Sequence, residues 1–196
     1  LSDWAEFQKD GRMYGMVNRG LEQMVRSWHS DAAWELVKTR ADVDIEGFIS
    51  MTRYPDEMTY ALVDAASVVL ETPVPEVLRA FGHYWVTESA AQVYGELMTL
   101  CGRSLPEFLR NLDSMHGRLV LAFPKFEPPS FKVTDETATS LVLHYYSERA
   151  ALGPFVVGLV EGLAHRFGTE AQVEIVSSRD GGADHEAFLV RYTAAA

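Results

Sequence analysis

The sequence predicts an α+β domain in which a helical N-terminal part is followed by a C-terminal part with an antiparallel β-sheet. Two observations carry this. Apolar residues recur at helical spacing as far as Phe123, and beyond Pro124 the period shortens to the alternation of strands, with one further helix between them. Helices first and strands later is the signature of a sheet partly covered by helices rather than of alternating α/β units.

The elements follow in order. Tyr14 to Ser27 carries Val17, Leu21 and Met24 on one helical stripe. Ser30 is placed to cap a second helix through Ala41, since a serine hydroxyl accepts from an unpaired N–H of the first turn. Asp56 to Leu70 reads as a third helix. Pro75, tolerated where the first-turn N–H has no partner anyway, opens a fourth through Trp85. Ala91 to Cys101 reads as a fifth. Ser104-Leu105-Pro106-Glu107 is a capping box, followed by the stripe Phe108, Leu112, Met115, Leu119 and Phe123. Pro128 and Pro129 end helix formation. Ser130 to Thr134 and Ser140 to Glu148 alternate as strands. Pro154 starts a helix over Phe155 to Arg166, ending near Gly168. Gln172 to Ser177 and Glu186 to Tyr192 read as a hairpin around Asp180-Gly181-Gly182. Gly158 and Gly162 lie four apart in their helix, a spacing that permits close packing.

Length and charge narrow the function classes. A chain of 196 residues fits one sizeable core, and 47% apolar residues can fill it. With 17 basic and 28 acidic side chains the formal charge is −11, a field that repels phosphate backbones and anionic lipid. Nucleic acid and membrane are therefore not expected as partners. The one cysteine, Cys101, cannot form an internal disulfide, no apolar run approaches a membrane span, and no signal pattern opens the chain, so a cytoplasmic protein is expected. Residues 1–12 are weakly patterned and are expected to be an extension preceding a domain over 13–193.

Two features carry chemistry. His116 lies four residues after Leu112, on the buried stripe of its helix. Taken alone, a histidine there is more often a hydrogen-bonded core residue than a metal ligand. The second feature is Tyr145-Tyr146-Ser147-Glu148-Arg149. Strand alternation would put Tyr145, Ser147 and Arg149 on one face, where two hydroxyls and a guanidinium suit a pair of carboxylates. Isolated, the pattern reads as the solvent-facing side of a strand. His29, His83, His144, His165 and His185 show no paired ligand spacing, so a second metal site is not expected, and Asp184-His185-Glu186 reads as a solvated strand entry.

Together these segments resemble the haem–nitric oxide/oxygen binding (H-NOX) family. The resemblance runs from Met13 to about Thr193. It is carried by MYGMVNRGLEQMV at 13, FGHYWVTES at 81, SLPEFLRNLDSMHGR at 104, FEPPSF at 126, LHYYSERAALGPFVVGLVEGL at 143 and the ADHEAFLVRY ending. It is similar to free-standing cyanobacterial members and to the sensor domain of the soluble guanylate cyclase β subunit.

The resemblance implies a b-type haem buried between the helical and the sheet-containing parts. It places the proximal histidine at His116, the propionate-binding trio at Tyr145, Ser147 and Arg149, and the proline that presses on the haem at Pro129. Met13, Val17, Leu21, Trp85, Leu112, Met115, Phe131, Phe155 and Leu159 would line the pocket. The lone cysteine excludes covalent attachment through a Cys-x-x-Cys-His run.

The implied function is a gas sensor, not an enzyme, that binds nitric oxide and carbon monoxide. It would signal to a separate effector such as a histidine kinase or cyclase, because a chain of this length leaves no room for one. An oxygen sensor using Trp85 as distal donor is the alternative. A peroxidase-type enzyme would need a titratable distal group, which Val17, Leu21, Trp85, Phe155 and Leu159 do not supply. A haem-free binding module on the same fold is a third reading.

Overall fold

A computed structural model describes residues 12–122 and 127–193. Most of the expected extension (1–11), together with Phe123 and Phe126, lies outside the described residues.

The chain begins with β1 (Arg12–Tyr14), α1 (Gly15–Trp28), α2 (Asp31–Arg40), β2 (Arg53–Pro55), α3 (Asp56–Val69) and α4 (Val74–Tyr84). A π-helical turn over Trp85–Ser89 leads into α5 (Ala90–Cys101), and α6 (Leu105–Ala122) follows. The C-terminal part is β3 (Ser130–Thr134), β4 (Ser140–Tyr146), α7 (Gly153–Arg166), β5 (Ala171–Ser177) and β6 (Glu186–Tyr192). Its four strands form one antiparallel sheet in the order β3-β4-β6-β5. The expected α+β class is the observed one.

Local chemistry accounts for most boundaries. Ser30 caps α2 by accepting from Ala33 N at 3.1 Å. Ser104 accepts from Glu107 N at 3.4 Å, while Glu107 reaches back to Arg103 N at 2.9 Å, one residue earlier than the usual reciprocal box. The β5–β6 turn uses Gly182 at φ +90°, a conformation that favours glycine.

Three boundaries differ from expectation. The first helix starts at Gly15, because residues 12–14 pair antiparallel with 53–55 as a two-stranded ribbon. Two three-residue strands are too short to leave a periodic trace in sequence. The fourth and fifth helices are joined by the π turn, in which Ala90 N donates to Trp85 O. Finally, β4 stops at Tyr146, so Ser147 and Arg149 lie in the loop before α7 and not on a strand face.

The core divides in two. One apolar cluster unites α1 to α4 around Leu21, Trp34, Leu62 and Phe81. The other unites α5, α6, α7 and the sheet around Phe108, Leu141, Val160 and Phe188. Trp85 and Leu152 pack on both. Helices α4 and α7 cross the divide in direct backbone contact. A Cβ at Gly82 would overlap the Phe155 carbonyl, and one at Gly158 the Arg79 carbonyl. This contact sets Phe155 beside Phe81 of the α1–α4 cluster, while Trp85 touches both clusters.

Candidate functional site

A cavity of about 260 Å³ occupies the junction of the two cores. A single water needs roughly 10–15 Å³ by this measure, so the space suits a sizeable organic group. Its wall is mainly apolar, with a few polar groups, the pattern of a ligand pocket.

His116 stands in that wall, on α6 beside Leu112, Met115 and Leu119. Its Nδ1 lies 3.0 Å from the Pro129 carbonyl oxygen. A carbonyl can only accept, so Nδ1 carries the proton and Nε2 the lone pair. That is the tautomer in which a histidine ligates a metal through Nε2, with the other ring nitrogen held from behind. Burial lowers the His116 pKa, partly opposed by the Pro129 hydrogen bond and by Asp113, which favours the neutral, coordinating ring.

The segment behind the histidine is tied to the same helix. Asp113, one turn earlier, accepts from Phe131 N at 3.0 Å. This bond and the His116–Pro129 bond hold residues 129 to 131 against α6. Phe131 in turn lies 5.8 Å from the His116 ring and 5.3 Å from the Tyr145 ring, so an aromatic row runs from helix to sheet.

Tyr145 is fully buried on β4. Burial pushes its hydroxyl pKa up, opposed by a hydrogen bond with Ser147, so it stays a neutral donor. Ser147 Oγ also accepts from Arg149 N at 3.1 Å. The trio therefore converges through a turn that Ser147 organises, rather than through strand alternation. Tyr145 and Arg149 reach the cavity wall, and Ser147 stands behind them. Arg149 Nε donates to Asp56 Oδ2 at 3.0 Å, and its Nη2 to Arg12 O at 3.2 Å. Burial raises the pKa of Asp56, against the pull of Arg149.

Of the other expected pocket residues, Met13, Val17, Trp85, Pro129, Phe155 and Leu159 line the cavity. Leu21 does not. It is completely buried in the α1–α4 core, because the Trp85 ring closes on Gly20 and ends the space before Leu21 is reached. The cavity wall also includes Met16, Thr59, Tyr60 and Tyr94, which sequence reasoning missed. Tyr94 breaks the helical backbone of α5 (φ −120°, ψ 15°) and directs its hydroxyl to Met16 Sδ at 4.0 Å. Asp56 was also missed. At a helix start it reads as an ordinary acidic first-turn residue.

An apolar cavity with one Nδ1-bound histidine and a Tyr–Ser–Arg turn at its edge is what a propionate-bearing metal macrocycle requires. Comparison with known families matches residues 14–175 to the one described as Haem-NO-binding. The chain belongs to the H-NOX family.

Soluble guanylate cyclase gcy-31 of Caenorhabditis elegans is 27% identical over 165 residues, covering 84% of this chain and 24% of that protein. The guanylate cyclase soluble subunit beta-2 of Rattus norvegicus is 32% identical over 120 residues, covering 58% of this chain and 18% of that protein. This H-NOX chain thus spans about a quarter or less of those relatives, and the match covers the sensor part, which is not catalytic by itself.

Among solved structures, an H-NOX protein from S. oneidensis in the Fe(II)NO ligation state superposes with a TM-score of 0.81 at 18% identity, covering 92% of this chain and 99% of that one. The Fe(II) unliganded H-NOX protein from K. algicida gives 0.78 at 20%, covering 93% and 98%. At these identities the likeness establishes the H-NOX fold. As an H-NOX domain the chain is a haem-binding gas-sensor domain related to soluble guanylate cyclase, with a diatomic gas as its ligand.

Proposed function

We propose that this domain, over residues 13–193, senses nitric oxide and carbon monoxide. A b-type haem would be held to the protein by His116 and anchored through its propionates by Tyr145, Ser147 and Arg149. The observation that carries this reading is the hydrogen bond from His116 Nδ1–H to the Pro129 carbonyl at the cavity wall, which leaves Nε2 as the coordinating atom. When bound, the haem supplies a ferrous iron that takes up the gas.

The chain's own residues do the rest. Arg149 offers a cation and Tyr145 a buried neutral hydroxyl to carboxylates at the cavity edge. Phe155, Leu159, Val17 and Val86 exclude water with side chains that have no hydrogen-bond donor. Where these four side chains surround the gas, ligands which bind iron without donor assistance are favoured over oxygen; Thr59, Tyr60, Trp85 and Tyr94 in the same wall are the groups that would reverse this. Pro129 contributes a rigid ring to the wall and its carbonyl to His116, so the same segment touches both the ligand and the space beside it.

Signalling would pass to a separate effector, a histidine kinase or a cyclase being the kinds of partner expected. A cytoplasmic location is proposed with it. Among the described residues no helix is long and apolar enough to cross a membrane.

The test is the absorption spectrum of the purified, reduced chain under argon, nitric oxide, carbon monoxide and air. A haem band that shifts with nitric oxide and with carbon monoxide, and forms no persistent oxygen complex in air, supports the reading. A stable oxygen complex would favour the alternative of an oxygen sensor using a distal donor, Trp85 or Tyr94. Absence of any haem band after reconstitution would remove both.

A further inference from the structure

Away from the cavity, the structure brings together two histidines that sequence spacing left apart. His144 lies in β4, with Lys132 of β3 and Ala187 of β6 as its register partners. His185 directly precedes β6. Their ring centroids are 5.0 Å apart, and His144 Nδ1 is 2.8 Å from His185 Nε2. Tyr146 stacks on the His185 ring at 4.2 Å.

The outer nitrogen of each ring is tied to an acceptor. His185 Nδ1 is 2.5 Å from Asp184 Oδ1. A carboxylate only accepts, so this nitrogen carries a proton. His144 Nε2 is 2.8 Å from Thr134 Oγ1, and that hydroxyl donates to Asp135 Oδ2 at 2.9 Å. Threonine has one hydroxyl proton and the carboxylate is the stronger acceptor, so His144 Nε2 is also a donor. Two neutral rings protonated on their outer nitrogens would then face each other with two lone pairs across 2.8 Å. In this tautomer a cation between the rings relieves the contact; in the other, Thr134 donates to His144 Nε2 and His144 Nδ1–H donates to His185 Nε2.

We propose that His144 and His185 form a two-nitrogen site for a divalent transition-metal ion of the copper, nickel or zinc class, which binds in place of a bridging proton. Imidazole nitrogens suit these ions. An outer N–H held by a carboxylate, directly or through a hydroxyl, is the arrangement that orients metal-bound histidines. Two nitrogens each about 2.0–2.1 Å from a tetrahedral ion are about 3.3 Å apart, so the pair must open by about half an ångström. His185 sits in the turn before β6, where such a shift disturbs no strand pairing.

The surrounding charges favour a cation. Asp184 and Asp135 lie near the His144 ring, with Lys132 opposing them. Burial, the neighbouring His185 and Lys132 hold the His144 pKa below its usual value, which keeps the ring available as a ligand near neutral pH. Among the described residues no third histidine, cysteine or carboxylate converges on the site, so solvent completes the coordination and binding is of moderate affinity. The other close pair, His83 and His165, is stacked with near-parallel rings and does not aim two nitrogens at one point.

The experiment is calorimetric titration of the tag-free chain with Zn²⁺ and with Ni²⁺. One saturable site is expected, with binding that weakens as the pH is lowered from 7 to 5 and protons compete for the two rings. His144→Gln and His185→Gln should each abolish it, and Asp184→Asn should weaken it about 10- to 100-fold. In histidine ¹⁵N spectra, Zn²⁺ should shift Nδ1 of His144 and Nε2 of His185. Absence of saturable one-to-one binding, binding that survives both histidine substitutions, or unmoved resonances at these two nitrogens would each overturn the proposal.

Discussion

Arg149 and Asp56, 93 residues apart in sequence, form an ion pair at 3.0 Å with the carboxylate almost fully buried. The pair ties the loop after β4 to the first residue of α3, across the seam that holds the cavity. A second carboxylate oxygen of Asp56, Oδ1, is buried without a hydrogen-bond partner, so the carboxylate depends heavily on Arg149.

Arg149 therefore has two roles that mutation can separate. Arg149→Ala should cost about 3–5 kcal/mol of fold stability, since it strands a buried charge. It should also speed haem loss more than Ser147→Ala, whose hydroxyl stands behind the wall. The double variant Asp56→Asn/Arg149→Ala should recover most of the stability and none of the haem retention. Denaturant unfolding and transfer of haem to an apo-globin acceptor measure the two effects. Recovery of both together would show that Arg149 acts only through the fold.

Pro129→Ala keeps the carbonyl that accepts from His116 and removes the ring. Unchanged haem stoichiometry and a flatter macrocycle are expected, visible in crystal structures of both forms. Equal distortion in the two would take Pro129 out of the haem contact.

Phe155 lies 5.1 Å from Phe81 in the cavity wall and has no donor. Phe155→Tyr adds one hydroxyl without emptying space, and is expected to create an oxygen complex that persists in air where the native chain has none. Should the native chain hold oxygen, Trp85→Phe and Tyr94→Phe identify which donor stabilises it.

Glu186 pairs with Tyr145 across β4 and β6, is buried, and has an Oε2 atom without a hydrogen-bond partner. Burial raises its pKa from the ordinary 4.5. A carboxyl whose pKa is raised on folding binds its proton more tightly in the folded chain, so its unfavourable contribution appears as pH rises through the folded value and fades as pH falls. Glu186→Gln should raise the melting temperature by a few degrees at pH 8, at about 2–4 °C per kcal/mol for a domain of this size, and the gain should shrink towards pH 4.5. A gain that does not change with pH would assign it to packing.

What could be read in the sequence was local. The α6 capping residues, the apolar stripe carrying His116 and the Pro154 helix start all depend on neighbours within a turn, and each stands where its pattern puts it. What could not be read depends on distant pairing. The ribbon of residues 12–14 with 53–55 joins two three-residue strands. The end of β4 at Tyr146 turns Ser147 and Arg149 out of the strand, although the Ser147 hydrogen bonds still bring the trio together. Leu21 shares the helical stripe of Val17, but the depth of the cavity along α1 is set by Trp85 against Gly20, a contact between helices. Asp56, Tyr94 and the His144–His185 pair gain their roles only from residues that folding brings near.

His116 is the residue proposed to bind the haem iron. The most direct measurement is the ferrous absorption spectrum of His116→Gly, recorded with and without added imidazole. The native spectrum is expected to be lost without imidazole and restored by it, because the substitution removes the ring and leaves the cavity. A variant that keeps the native ferrous spectrum with no imidazole present would contradict it.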